Sequence, residues 1–272
     1  MGRDPGYRRE VSGNRDNVIG MDRPASLSFD RIADRYDESR GGTVRGERLA
    51  VELVSWLAPG RVLEVGVGTG IVAVALRSSG RSVFGVDLST AMLHRAVERL
   101  GSTVVRADAL ALPIASGSMD NVLFVAALHA IGDVSGAVTE AARVLRPGGR
   151  LLAVHGRPLL EPADDDVARV LVPLTGLRDF RPDTEAALNE AAAAASLTPV
   201  AAATVSPVGL AHAPNAIADG IEQRLWSYLW RVDGPTWDTV VAPVVAALRA
   251  VPEPDRPRTY TLSSHLVVFA RT

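Results

Sequence analysis

A chain of 272 residues with 29 basic and 31 acidic side chains, net charge -2 and 47% hydrophobic residues has the make-up of a folded domain rather than a disordered or fibrous chain. The slightly acidic balance supplies no basic field to displace counterions from a nucleic-acid backbone, and no run of roughly 18 apolar residues offers a membrane span. The chain has no Cys, and all its basic residues are Arg, which excludes thiol nucleophiles, disulfides, Cys-bound zinc, a Lys-bearing phosphate loop and a Lys Schiff base.

Residues 1–25 are polar, of mixed charge and without periodicity, so a disordered N-terminal segment is expected. Arg3, Arg8, Arg9, Arg15 and Arg23 flank no apolar stretch of the kind a secretory signal needs, and a cytoplasmic location follows as the expectation. From Ser28 the pattern changes. Phe29, Ile32, Ala33 and Tyr36 recur at helical spacing with charged residues between them, and a second helix over Gly46–Leu57 stops at Pro59 and Gly60.

Apolar runs at Arg61–Val65, Ser82–Val86, Thr103–Arg106, Asn121–Val125 and Arg150–Val154 then read as buried strands. Helices are predicted between them at Thr69–Ser79, Ser89–Leu100 and Val134–Leu145, each followed by a glycine suited to a left-handed cap. This alternation predicts a doubly wound α/β fold with a mainly parallel sheet. Beyond His155 the rhythm loosens: helices at Asp164–Leu171 and Thr184–Ala195, a strand at Val200–Val205, helices at Asn215–Trp230 and Thr236–Ala250, and a closing edge strand at His265–Ala270. Residues 26–272 therefore read as one domain, with no internal repeat.

Strand Arg61–Val65 runs straight into Gly66-Val67-Gly68-Thr69-Gly70 and then a helix. Glycines there allow a sharp turn and a close approach of ligand to main chain. Asp87 closes the next strand, where a carboxylate can accept both hydroxyls of a ribose, and Glu64 lies on the first strand two residues before Gly66. A dinucleotide fingerprint would need a third glycine where Ile71 stands.

The run Val62-Leu63-Glu64-Val65-Gly66-Val67-Gly68-Thr69-Gly70 resembles the first motif of class I S-adenosylmethionine-dependent methyltransferases, in their small-molecule, type 11-like branch. Four more stretches resemble later motifs in the right order: Val86-Asp87-Leu88-Ser89 with Met92, Ala107-Asp108-Ala109-Leu110 with Pro113, Asp120–Val125 with Leu128-His129, and the turn Leu145–Leu151 before the fifth strand. Phe29-Asp30 to Tyr36-Asp37 is similar to the family's lid helix. The likeness covers Ser28 to Val154, about half the chain.

The resemblance implies a Rossmann-like, seven-stranded sheet with an antiparallel last strand and helical cap insertions. Residues 26–60 would form the lid, 61–155 the donor-binding core and 156–272 the half that builds the acceptor pocket. The implied cofactor is S-adenosylmethionine, leaving S-adenosylhomocysteine as product. Tyr36, Glu64, Gly66, Gly68, Gly70, Asp87, Leu88, Met92, Asp108, Ala109, Val125 and His129 would hold it, with Asp108 at the adenine amino group. His129 is also the candidate base. His155, Arg157, His212, Trp226 and Trp230 are the candidate acceptor contacts. Asp120, at the start of its strand, reads as structural, and Asp164-Asp165-Asp166 as a helix-dipole cluster rather than a metal site.

The expected partner is a small-molecule acceptor, a secondary metabolite methylated on O, N or C, without nucleic acid or membrane; the oligomeric state stays open, a homodimer included. Two other readings compete. One keeps the fold and donor but has a non-methylating, cyclase-like or binding role; the other is an NAD(P)-dependent oxidoreductase, against which the missing third glycine speaks.

Overall fold

A computed structural model describes residues 25–160, 166–178 and 183–272; of the segment 1–25, all but Ala25 lies outside them. A 3-10 turn at Ala25–Ile32 leads into α1 (Ala33–Ser39) and α2 (Gly42–Val54). Alternation then gives β1 (Arg61–Val65), α3 (Ile71–Ser78), β2 (Ser82–Asp87), α4 (Thr90–Leu100), β3 (Val104–Arg106), β4 (Met119–Val125), α5 (Val134–Val144) and β5 (Leu145–Leu160). The remaining elements are α6 (Asp166–Leu171), α7 (Glu185–Ala194), β6 (Leu197–His212), α8 (Pro214–Glu222), α9 (Gly234–Thr236), α10 (Ala242–Arg249) and β7 (Arg258–Arg271).

The strands form one seven-stranded sheet in the order β3-β2-β1-β4-β5-β7-β6. Neighbouring strands from β3 to β5 run parallel, and β7 is antiparallel to both β5 and β6. The expected architecture is therefore observed. Strand order reverses between β1 and β4, so the crevice at the carboxyl ends of β1, β2 and β4 is where this topology accepts a ligand.

Both sheet faces are covered, which is why the central strands are apolar throughout. Val122, Phe124, Leu151 and Phe269 pack on Ala137 and Ala141 of α5 and Leu188 of α7. On the other face Val62, Leu123, Leu152 and Val268 pack on Leu53 of α2, Leu76 of α3 and Ala96 of α4. A separate cap core joins Val167, Leu174, Ile217, Ile221, Val241 and Leu248. Among the described residues no helix is long and apolar enough to cross a membrane.

The second half departs from its expected boundaries. The expected turn at Leu145–Gly149 belongs to β5 itself, with Gly148 at φ 76° and an irregular register against Met119 and Asn121. Strands β6 and β7 outrun their apolar cores because they pair with each other as far as His212 and Arg258. The expected helix Asn215–Trp230 stops at Glu222: Arg224 turns left-handed at φ 51° and Trp226 is extended. Gly220 explains the reversal, since the Trp226 ring packs back where a Cβ would sit 2.7 Å from it. The helix expected over Thr236–Ala250 contains a π turn at Trp237–Val241, ahead of Pro243, which has no N–H to continue a regular ladder. Of the expected helix Asp164–Leu171, Asp164 and Asp165 lie outside the described residues, and Asp166 pairs with Arg258 at 3.2 Å.

Candidate active site

The loop after β1 is pinned by its neighbour strand: the Gly66 and Val67 N–H groups both donate to the Val86 carbonyl, at 2.8 and 2.9 Å. Gly66, Gly68 and Gly70 have φ of 75°, 56° and 79°, the left-handed region in which a side chain is strained. Two of the three are also filled from outside. A Cβ on Gly66 would lie 2.5 Å from Ala127 Cβ, and one on Gly70 would lie 2.9 Å from Leu100. Gly68 differs, because nothing lies within 4 Å of the position its Cβ would take. It presents bare backbone to open space at the switch point.

Two carboxylates surround that bare backbone. Asp87 accepts the Gly68 N–H through Oδ2 and the Ser89 N–H through Oδ1, both at 2.8 Å. The acid that closes β2 and the glycine loop after β1 are thus in direct contact. Burial raises the Asp87 pKa, and the N–H groups of Ser89, Gly68 and Leu88 work against it. Glu64 is only 2% exposed, and its Oε2 has no hydrogen-bond partner among the described residues. Burial first and the Asp87 charge second push its pKa up to about 8, opposed by the Ala73 N–H. An unpaired buried acceptor beside a second acid is a site prepared for a cationic group. This fits S-adenosylmethionine, which carries an ammonium and a sulfonium together with a ribose diol.

The lid is fastened to this loop and to α4 by carboxylates that stand between the apolar positions of its helix. Asp37 accepts from Thr69 Oγ1 and from Arg99, each at 2.5 Å, and Arg99 also donates to the Thr69 carbonyl. Asp30 accepts from Ser89 Oγ at 2.6 Å and the Ala91 N–H at 3.1 Å, and Asp34 pairs with Arg95 at 2.6 Å. Acids at 30, 34 and 37 form a stripe of helical spacing, and that spacing was the available signal.

The other side of the lid meets the cap. Trp230 packs edge-on against Phe29 with ring centroids 4.8 Å apart, and Phe29 lies edge-on to Tyr36 at 6.1 Å. Arg40 lies over both the Tyr36 and Trp226 rings and donates to the Leu225 carbonyl at 3.0 Å. Arg35 donates to Gln223 at 2.7 Å. His129, just past β4, reaches Ser227 Oγ of the cap through Nε2 at 3.5 Å.

Of the other expected residues, Asp108 is exposed at the end of β3 and accepts the Leu110 N–H at 2.9 Å, the turn contact open to it. Ala109 packs against the α5 core and Val125 against the α3 core, while Leu88 is half-buried beside Asp87. Met92 is 1% exposed and packs under the lid with Ile32, Ala33 and Leu225. His212 ends β6; burial lowers its pKa, opposed by Glu38 of the lid. His155 stands on β5 beside α7, and the Arg157 side chain lies outside the described residues. In the same cap, Arg224 lies over the Trp237 ring at 4.4 Å from its centroid. Asp120 is structural, accepting the Arg61 N–H at 2.7 Å and an ion pair from Arg146.

A 3-2-1-4-5-7-6 sheet with a carboxylate-bound glycine loop at its switch point defines a class I, Rossmann-like methyltransferase domain. Residues 63–153 match the methyltransferase domain family, and this part of the chain groups with the class I S-adenosylmethionine-dependent methyltransferases. It is 39% identical over 142 residues to a demethylmenaquinone methyltransferase of Thermus thermophilus, an alignment covering 48% of this chain and 64% of that protein. It is 36% identical over 155 residues to a ubiquinone/menaquinone biosynthesis C-methyltransferase of Syntrophotalea carbinolica, covering 52% and 64%. The chain spans less than two thirds of the length of these relatives. Among solved structures, a putative methyltransferase of Bacillus halodurans superposes with TM-score 0.53 at 20% identity, covering 82% of this chain and 99% of that one. The [4+2]-cyclase SpnF superposes with TM-score 0.55 at 20% identity, covering 90% and 95%. At such identities these likenesses speak to the fold alone.

Proposed function

We propose that this chain transfers a methyl group from S-adenosylmethionine to a small-molecule acceptor enclosed between lid and cap. The observation that carries the reading is the Asp87–Gly68 contact at 2.8 Å beside the unpaired Oε2 of Glu64. In this reading Asp87 takes the ribose hydroxyls and Glu64 faces the ammonium group. Asp108 and Ala109 meet the adenine, and Tyr36, Leu88, Met92, Val125 and His129 complete the enclosure. Bound there, the donor supplies an electrophilic methyl on a positively charged sulfur.

The protein's contribution is alignment and exclusion of water, because the reaction consumes charge rather than creating it. Asp37 holds the lid on the donor loop and Asp30 holds it on the start of α4, while Arg35 and Arg40 hold the same lid on the cap. Trp226 and Trp230, with His129, His155, His212 and Arg157, form the acceptor side. Their aromatic character favours a planar acceptor such as a secondary metabolite, handled in the cytoplasm. Calorimetry with S-adenosylhomocysteine tests donor binding; no heat at micromolar protein refutes the reading. Labelled-methyl turnover over an acceptor panel then separates methyl transfer from a role in which the donor is bound but never consumed.

A further inference from the structure

The lid, the glycine loop and α4 meet in a closed ring of side chains to which the reading above gives no role of its own. Arg99, in the last turn of α4, donates from Nη1 to the Thr69 carbonyl at 2.6 Å and from Nη2 to Asp37 Oδ2 of the lid at 2.5 Å. Thr69 closes the ring by donating its hydroxyl to Asp37 Oδ1 at 2.5 Å. Each of the three residues thus engages the other two through two different polar atoms, and each comes from a different element. Loss of any one leaves the remaining pair joined by a single bond, the condition under which hydrogen bonds act as a unit rather than as a sum.

Arg99 is mounted rigidly for this task. Its own carbonyl and that of Leu100 accept from Arg77 of α3, the Leu100 side chain fills the space beside Gly70, and Ser89 caps the other end of α4. The helix is therefore fixed against the loop without help from the Arg99 guanidinium. Thr69 is 1% exposed and directly follows Gly68, whose N–H is held by Asp87 and whose backbone lies bare at the switch point. The carbonyl that Arg99 holds belongs to the peptide between Thr69 and Gly70, the latter at φ 79°. A planar guanidinium serves two acceptors at once when both lie in its fork, so the loop carbonyl and the lid carboxylate must be in place together.

A second pair between lid and α4 supplies the contrast. Arg95, one turn earlier, meets Asp34 at 2.6 Å, but these side chains are 40% and 90% exposed, against 27% and 26% for Arg99 and Asp37. Among the described residues Arg95 has no hydrogen bond to the glycine loop. An exposed ion pair of that kind contributes little.

We propose that Arg99 is a positioning residue for the methyl donor. It holds the Thr69–Gly70 peptide of the glycine loop and the Asp37 carboxylate of the lid in one arrangement, so that the lid docks on a loop already set to bind. This rests on the methyltransferase reading above. Arg99 acts through Thr69 and Asp37, and its role is arrangement rather than chemistry.

The test uses the full chain, with S-adenosylhomocysteine affinity measured by calorimetry and its release by stopped flow. Arg99→Gln is expected to weaken binding about tenfold, the loss of charge-assisted hydrogen bonds, chiefly through faster release. Arg99→Lys, which keeps the charge and the stem but not the fork, is expected to stay roughly threefold or more weaker than wild type. Adding Asp37→Asn to Arg99→Gln is expected to weaken binding by no more than about a further twofold, because the ring is already open. Arg95→Gln is expected to lose about twofold at most. At saturating S-adenosylhomocysteine, hydrogen exchange over residues 29–40 is expected to be slowed by the ligand in the wild type and in Arg95→Gln but not in Arg99→Gln. A merely structural defect would instead speed exchange throughout the chain and leave that ligand-dependent protection of the lid intact. Effects of Arg99→Gln and Asp37→Asn that multiply, an Arg99→Lys protein that binds like the wild type, ligand protection of the lid that survives Arg99→Gln, or a loss in Arg95→Gln as large as in Arg99→Gln each overturn the proposal. Failure of the wild type to bind S-adenosylhomocysteine is a separate result that overturns the methyltransferase reading, and this proposal with it.

Discussion

Replacing Glu64 with Gln removes one ionisation from the floor of the proposed donor site while keeping the side chain's shape. Burial, reinforced by the Asp87 charge, raises Glu64 from 4.5 to about 8 in the folded chain. The folded protein then holds a proton that the unfolded chain has lost, so this group's contribution is complete below pH 4.5 and is lost as pH rises through 8. At 1.36 kcal/mol per unit, the unliganded wild type gives up about 3 kcal/mol between pH 4.5 and 7 through this residue. Asp87, whose pKa is also raised by burial, adds a slope of the same sign in both proteins. The difference between Glu64→Gln and wild type therefore isolates Glu64. Urea unfolding from about pH 5 to pH 8 is expected to show the variant gaining on the wild type at each step. A difference that stays constant with pH refutes the buried-acid argument. Donor binding gives the opposite sign: a cation favours the ionised carboxylate, so wild type releases a proton on binding S-adenosylhomocysteine near neutrality. The variant releases fewer protons and binds roughly 10- to 100-fold more weakly, the worth of one charge-assisted hydrogen bond.

The glycine loop separates a folding constraint from a binding one. Gly66→Ala places a Cβ 2.5 Å from Ala127 at φ 75° and is expected to cost about 3 kcal/mol, visible as a lower thermal midpoint. Gly68→Ala meets nothing within 4 Å; it is expected to cost only about 1 kcal/mol of stability, yet to weaken S-adenosylhomocysteine binding at least tenfold by covering the bare backbone. Asp37→Asn removes the lid's charge-assisted contacts with Thr69 and Arg99 and is expected to lower donor affinity several-fold, about 1 kcal/mol, with the larger effect on dissociation in stopped flow. Arg40→Ala breaks the bond to the Leu225 carbonyl and the stacking on Tyr36 and Trp226. Hydrogen exchange is expected to speed up in both residues 29–40 and 223–230; acceleration in only one of them refutes the joint.

The half that carries the glycine loop was legible because its geometry is imposed by backbone. Gly66, Gly68 and Gly70 adopt left-handed angles, the central strands β1 and β4 are buried on both faces and Ser89 caps α4 by accepting the Met92 N–H at 3.1 Å. Each requirement restricts residue type at a fixed spacing, so it shows in the sequence. Asp87 was identified from its place at a strand end, and the structure puts it against Gly68. The half beyond His155 follows no such restriction. The break after Glu222 depends on Gly220 receiving the Trp226 ring, a tertiary contact that local helical propensity contradicts. The His155 and His265 rings, with centroids 5.3 Å apart, join β5 to β7 from distant parts of the chain, and no local pattern announces the pair.

The absence of lysine, which composition alone leaves without mechanistic weight, acquires a meaning at the lid. Arg40 stacks on two aromatic rings while donating to a carbonyl, Arg31 lies over Trp230 at 5.9 Å, and Arg35 reaches Gln223. A planar guanidinium can stack and donate at once; an ammonium is a point charge that holds no orientation. The opposite side of the same short helix is held by Asp30, Asp34 and Asp37 to α4 and the glycine loop. One seven-residue helix, with the turn preceding it, therefore bridges the glycine loop and the cap through directional contacts on both sides. Ordering the lid on the donor side orders the cap by linkage, and the coupling is reciprocal. Acceptor affinity should thus rise when S-adenosylhomocysteine is bound, by a factor that Arg40→Ala and Asp37→Asn each reduce although they act on opposite sides of the helix.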